Sequence, residues 1–217
     1  MKKQFLVLFI ILFTVADISA QIGNVKLPQV AKQVNLMIEN NQSLAKRHIE
    51  LINQNNKSAS PEMKNLMDEW KTVEETDKIS LKTIFKVYGF LGYSEVGEES
   101  AHNFLQMVQR FDSDSTFQQL VLVEMKKHVE KTNANPIEFA HLTGRFNLNH
   151  RKFQVYGTQL KLNEKGTRFE PKLVIDPQNL NKPRAEVDLG TIEAANAIMN
   201  EHFAAHLKNK KNEQIIP

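Results

Sequence analysis

Between Phe139 and Leu160 the chain reads FAHLTGRFNLNHRKFQVYGTQL, placing His141, Thr143, Arg145, Tyr156, Thr158 and Gln159 beside apolar residues. Arg145 offers a planar fork for a carboxylate or phosphate, and Tyr156 and Gln159 can fix the orientation of such a group. His141 can act as a base near neutral pH. Upstream, Gln109 and Asp112 are three residues apart in a helical pattern, so their side chains neighbour each other at the edge of its apolar stripe. Two chemical readings follow. The leading one is a non-enzymatic binding or interaction module for a polar or anionic ligand, lined by Gln109, Asp112, His141, Thr143, Arg145, Tyr156, Thr158 and Gln159. The alternative is a hydrolase-type enzyme in which Asp112 or His141 is the base and Arg145 with Tyr156 stabilises developing negative charge. Against both stands a structural reading, in which Arg145 pairs with Asp112 and the amides satisfy loop backbone.

Several chemistries lack their residues. There is no cysteine, hence no disulfide framework, thiolate metal site or cysteine nucleophile. Gly-x-Ser-x-Gly, His-Glu-x-x-His and the phosphate-cradling P-loop are absent. Three pairs at helical spacing, Glu98 with His102, Glu124 with His128 and His202 with His206, fit solvated helix faces better than metal sites. No metal and no cofactor are therefore expected.

Residues 1–20, MKKQFLVLFIILFTVADISA, have the three-part layout of a secretory signal peptide: two lysines, an apolar run from Phe5 to Val15, and a small-residue end at Ser19-Ala20. The run is shorter than the roughly 20 residues that cross a bilayer, and no later segment approaches that length, so no transmembrane span is expected after cleavage. Export without cysteine points to a bacterial periplasm or exterior. Removing Lys2, Lys3 and Asp17 turns a balance of 28 basic to 25 acidic residues into 26 to 24. That balance is too near neutral for a nucleic-acid partner, leaving a small polar ligand or an envelope component as the expected partner.

The elements that must position these residues are mostly helical, and the expected class is mainly α (α+β) in one domain over 21–207. Apolar residues recur at helical intervals from Pro28 to Ile52, over one or two helices, and again from Pro61, with Ser60 as the cap. Further helices are read from Ser80 to Tyr88, ended by Gly89, from Glu99 to Asp112, and from a Ser115–Gln118 capping box to Val129. Phe90 to Gly97 reads as a loop. Asn135-Pro136 opens a short helix ending at Gly144, and an antiparallel hairpin is expected near 145–160, where Phe146, Leu148, Phe153 and Val155 alternate with polar residues. Leu160 to Val174 reads as irregular or edge strand. Thr191 caps the last helix, and Lys208 to Pro217 reads as a frayed tail.

Five pieces, in order over about Lys82 to Ile192, carry a resemblance. They are Val96-Gly97, Gln109-Arg110-Phe111-Asp112, Leu142-Thr143-Gly144-Arg145, Tyr156-Gly157-Thr158-Gln159, and Ile175 to Leu189. The chain resembles an uncharacterised bacterial family of unknown function with VG, QHxD, LTDR and YGTQ signatures. The resemblance implies a helical fold and the location of a site, without an activity. It also implies that Arg110 stands at the histidine of QHxD and Gly144 at the aspartate of LTDR, so no role resting on those two groups carries over. The family's tyrosine at the place of His141 implies a packing role there.

Overall fold

The computed structural model describes residues 25–54 and 60–213. The expected signal peptide, most of the linker-like 53–60 segment and the last four residues lie outside them. Among the described residues, eight helices and one two-stranded sheet follow in order: α1 Pro28–Asn53, α2 Pro61–Tyr88, α3 Tyr93–Val96, α4 Glu98–Arg110, α5 Ser115–Val129, α6 Pro136–Asn149, β1 Leu160–Leu162, β2 Phe169–Pro171, α7 Asn181–Ala185 and α8 Ile192–Glu213. The protein is mainly α with a small antiparallel hairpin.

The pattern from Pro28 to Ile52 forms one helix, α1, while α2 is longer than its local pattern suggests. α2 begins as expected, with the Ser60 hydroxyl accepting from the Met63 amide at 3.1 Å, but runs unbroken to Tyr88. Its apolar stripe is interrupted at Asp77, which is buried. One aspartate does not break a helix, and α1 supplies the partner that its burial requires: Asn41, also buried, donates to Asp77 Oδ2 at 2.8 Å. Asn41 Oδ1 in turn accepts from Arg110 Nη1 at 2.9 Å and Trp70 Nε1 at 3.3 Å. Burial holds the Asp77 carboxyl above its ordinary range, with the Asn41 bond and the Arg110 charge pulling the other way.

α4 is the central element of the core. Phe104, Leu105, Met107 and Val108 are buried against Val34 and Ile38 of α1, Leu81 and Ile84 of α2, Phe117, Val121 and Met125 of α5, and Leu142 of α6. Gly89 and Gly97, with φ of 75° and 82°, turn the chain into and out of the short helix α3, which occupies the expected loop. Glu95 of α3 ties this turn to its surroundings, meeting Lys26 at 2.9 Å, Asn133 at 2.9 Å and Ser94 at 2.7 Å. Burial alone would raise its carboxyl, and the bonds from Ser94, Lys26 and Asn133 overcome this and hold it at about 2.

At α5 the cap is Asp114, which accepts from the Phe117 amide at 3.1 Å, one residue before the expected Ser115. Gln118 is drawn into the core, where it donates to the Val108 carbonyl at 3.1 Å, and so takes no part in a capping box. The larger correction concerns the hairpin. Residues 145–149 belong to α6, opened by Asn135 accepting from the Ile137 amide at 2.8 Å. The hairpin lies at β1 and β2, with Leu160 opposite Pro171 and Leu162 opposite Phe169. Phe146 and Leu148 alternate over too few residues to specify a strand, whereas Phe139, Leu142 and Phe146 share one helical face. α8 keeps a helical backbone through Glu213.

Gly144, expected to end α6, lies inside it. A side chain there would collide with Thr158 Oγ1 and stand 3.0 Å from Gln154 Oε1. The glycine is required by the close approach of the 154–159 segment, not by a turn. That segment is clamped by Gln154, fully buried, which donates to the Gln159 carbonyl at 3.0 Å and accepts from the Gln159 amide at 2.8 Å. Overpacking costs about 1–3 kcal/mol, against about 1 kcal/mol gained by replacing a mid-helix glycine. Gly144→Ala should therefore lower stability by about 1 kcal/mol in urea unfolding. In a Thr158→Ala background the same change should be close to neutral; an equal loss in both backgrounds would refute the contact.

Candidate functional site

α4 and α6 lie side by side and run in the same direction, since His102 meets Glu138 near their starts and Asp112, just past α4, meets Arg145 near the end of α6. On α4, His102, Gln106 and Gln109 are spaced four and three residues apart; on α6, Glu138, His141, Arg145 and Asn149 are spaced three, four and four. Each set therefore occupies one helix face. The result is a polar seam along two helices whose other faces build the core.

Charge pairs fix both ends of the seam. At one, Glu138 hydrogen-bonds His102 Nδ1. That bond raises the imidazole pKa against the effect of burial, with the charges of Glu138 and Glu99 adding to it. His102 Nε2 lies 2.5 Å from the Gln106 amide. A turn of that amide lets Gln106 accept from the protonated ring or donate to the neutral one. At the other end Arg145 grips Asp112 with two bonds, Nε to Oδ1 at 2.8 Å and Nη2 to Oδ2 at 2.5 Å. Asn149 adds a bond to Oδ1 at 2.9 Å. The two charged side chains are 37% and 41% exposed. A pair this exposed contributes about 0–1 kcal/mol, so it orients Arg145 more than it holds α6. Arg145 Nη1 has no acceptor among the described residues.

The middle of the seam is different in kind. His141 is half-buried, and neither ring nitrogen is hydrogen-bonded among the described residues. Burial and then the Arg184 charge push its pKa below the ordinary value, with Glu138 opposing. The ring is neutral at pH 7, carrying one N–H donor and one lone pair. Gln109 and the Tyr156 hydroxyl likewise make no side-chain hydrogen bond among the described residues. Burial, with the Glu186 charge, raises the Tyr156 phenol further above neutrality, so it stays protonated. Buried Arg184 fixes the backbone next to it, donating to the Tyr156 carbonyl at 2.8 Å and the Gly190 carbonyl at 2.7 Å.

Of the eight candidate residues, the seam unites Gln109, Asp112, His141 and Arg145, while Tyr156 lies on the 154–159 segment, where Arg184 holds its carbonyl. Thr143 is two residues from Arg145, on the far side of α6, where its hydroxyl donates to the Phe139 carbonyl at 2.7 Å. Thr158 donates to the Ala140 carbonyl at 3.3 Å, and Gln159 is held through its backbone by Gln154; both lie on the Gly144 flank of α6. Sequence reasoning missed the roles of His102, Gln106, Glu138, Gln154 and Arg184. The first three have a signal in their spacing, although His102 stands at helical spacing from Glu98 in the sequence and its partner Glu138 lies on another helix. Gln154 closes a loop onto Gln159, five residues on, and Arg184 reaches both Gly190, six residues on, and the distant Tyr156, contacts that no helical or strand periodicity announces. Among the described residues no group of three or more His, Asp or Glu side chains is arranged to hold a metal ion, and His128 of the Glu124 pair is 2.8 Å from the Asn133 amide nitrogen.

A family model described as a family of unknown function, DUF6624, matches residues 28–209. The chain belongs to this family. The match to DUF6624 runs from the start of α1 into α8 and includes every residue of the seam. No curated protein and no solved structure gives a significant match.

The opposed environments of the two histidines are measurable. In an NMR pH titration of the imidazole signals, His102 should titrate above and His141 below the usual histidine midpoint of about 6.5. Glu138→Gln should lower both. Coincident midpoints, or a His102 midpoint indifferent to Glu138→Gln, would contradict the assignment. Because the His102 pKa is raised in the fold, its stabilising bond to Glu138 is fully present below pH about 6.5 and is lost as pH rises through the folded value.

Proposed function

We propose that the protein is an exported, non-enzymatic binding module of the bacterial cell envelope, taking a small polar or anionic ligand in the α4–α6 seam. One observation carries this reading: between two fixed ends, the seam leaves Gln109, the neutral His141 ring and Arg145 Nη1 without partners among the described residues. None of these groups is among the buried side-chain atoms left without a partner in the described residues, so they reach solvent and are available to a ligand with an acidic group and several hydrogen-bonding groups. Arg145, already oriented by Asp112, takes the acidic group through its remaining nitrogen, while His141 and Gln109 read the neighbouring donors and acceptors. The envelope location rests on the signal-peptide pattern of residues 1–20 and on the absence of cysteine.

A hydrolase-type enzyme remains the second reading because His141 is neutral and therefore able to accept a proton. Asp112 supports that reading less well, since both of its oxygens are engaged by Arg145 and one also by Asn149.

A thermal-shift and calorimetric screen of cell-wall fragments, glycans, acidic peptides, nucleotides and inorganic phosphate tests the proposal. A ligand at about 100 times its dissociation constant should add about 2.7 kcal/mol to stability. His141→Gln and Arg145→Ala should each weaken its binding at least tenfold while shifting the unliganded midpoint little. Ligands that bind both variants as well as the parent, or no binding across the panel, would remove the seam as the site. Breakdown of a bound compound that stops with His141→Gln would favour the enzyme.

A further inference from the structure

On the face formed by α2 and α5, away from the seam, lies a groove of about 750 Å³. Ile79 and Phe85 of α2 and Phe117 and Leu120 of α5 give it an apolar lining. Phe85 and Phe117 pack edge to face with centroids 5.6 Å apart, while Ile79 and Leu120 are 66% and 53% exposed. Along the α2 rim stand Lys78, Lys82 and Lys86, each one turn from the next and together spanning about 12 Å. Lys82 is held by Asp114 at 2.5 Å and lies 5.9 Å from the Phe117 ring centroid. Lys78 and Lys86 form no ion pair among the described residues. On the other rim Glu124 is engaged by Lys127 at 2.7 Å and so presents little free negative charge.

We propose that this groove docks an acidic amphipathic helix of a partner protein. The floor is an apolar trough between two helices, the shape into which a helix inserts side chains spaced three and four residues apart. The charge is distributed to match. The negative headgroup of a single amphiphile is satisfied by one or two adjacent cations, whereas free lysines two turns apart on a straight rim complement carboxylates repeated two turns apart on a helix lying alongside. The middle lysine, neutralised by Asp114, leaves Lys78 and Lys86 to bind, so the partner carries acidic residues seven or eight positions apart beside an apolar stripe. This docking is independent of the seam.

The test uses a fluorescent synthetic peptide of about 18 residues, long enough to form a helix on the surface, with a leucine stripe at helical spacing flanked by glutamates. Three comparisons accompany it: a scrambled peptide of the same composition, a version with lysine in place of each glutamate, and palmitate as a long-chain anionic amphiphile. The striped acidic peptide should bind the full chain and become helical, and the scrambled peptide should bind at least tenfold more weakly. Lys78→Glu with Lys86→Glu should weaken binding of the acidic peptide at least tenfold and reverse the preference in favour of the lysine version. Leu120→Ser should weaken both. These positions are on the rim or exposed, and an unchanged circular dichroism melt verifies that each variant is folded. Equal binding of the striped and scrambled peptides, indifference to the lysine reversal, no peptide binding, or binding of palmitate alone would each overturn the proposal.

Discussion

The absence of a side chain at Gly144 is the constraint on which the second half of the molecule depends. Because α6 presents bare backbone there, Thr158 and Gln154 approach it closely enough for the 154–159 segment to lie flat along the helix. Everything C-terminal is registered from that contact. Gln154 pairs its backbone with Leu173 and Ile175, each at 2.9 Å, and so brings the strand leaving β2 alongside the segment that leads to β1. Arg184 then binds the Tyr156 carbonyl and carries α7 into place. A chain with few strand residues thus holds its C-terminal third both by the buried Leu180, Val187 and Ile192 and by buried polar side chains satisfying backbone groups, where each unmade bond would leave a buried group costing about 1–3 kcal/mol.

The first half follows a different physics. Around α4, apolar burial dominates, with each fully buried Leu, Met or Phe contributing about 1.5–3 kcal/mol. The exposed Arg145–Asp112 pair adds at most about 1 kcal/mol. It follows that the core, not the ion pairs, sets the spacing of α4 and α6, and that the polar residues of the seam are positioned by the core and not the reverse. That separation leaves the middle of the seam free to vary in chemistry without endangering the fold. It also accounts for a neutral histidine between Glu138 and Arg184: His141 is placed where packing puts it, and its protonation state follows from burial and the neighbouring guanidinium.

Helix starts marked by a capping residue and a proline could be read directly from the residues, as at Ser60-Pro61 and Asn135-Pro136, and so could the mainly α class with one small hairpin. The failures share a cause. The apolar pattern from Pro61 looks separate from the one that starts at Ser80 until Asn41 is seen opposite Asp77, and Gly144 looks like a helix end until Thr158 is seen against it. Both are tertiary contacts between residues far apart in the chain. The hairpin was misplaced because alternation over Phe146 and Leu148 is also compatible with one helical face, and the helix continued through it. In the site, the Arg145–Asp112 pair was legible from residue type. The seam was not, because it requires knowing that α4 and α6 lie side by side in parallel.

The most direct test of the seam as a binding site is NMR mapping of a pooled library of small polar and anionic compounds on isotopically labelled protein, reading the side-chain signals of Gln109, His141 and Arg145 alongside the backbone. The account predicts that a bound compound moves these three together, leaving Thr143 and the α2–α5 face unchanged. Compounds that bind without moving His141 and Arg145, or that shift only residues remote from α4 and α6, would contradict it.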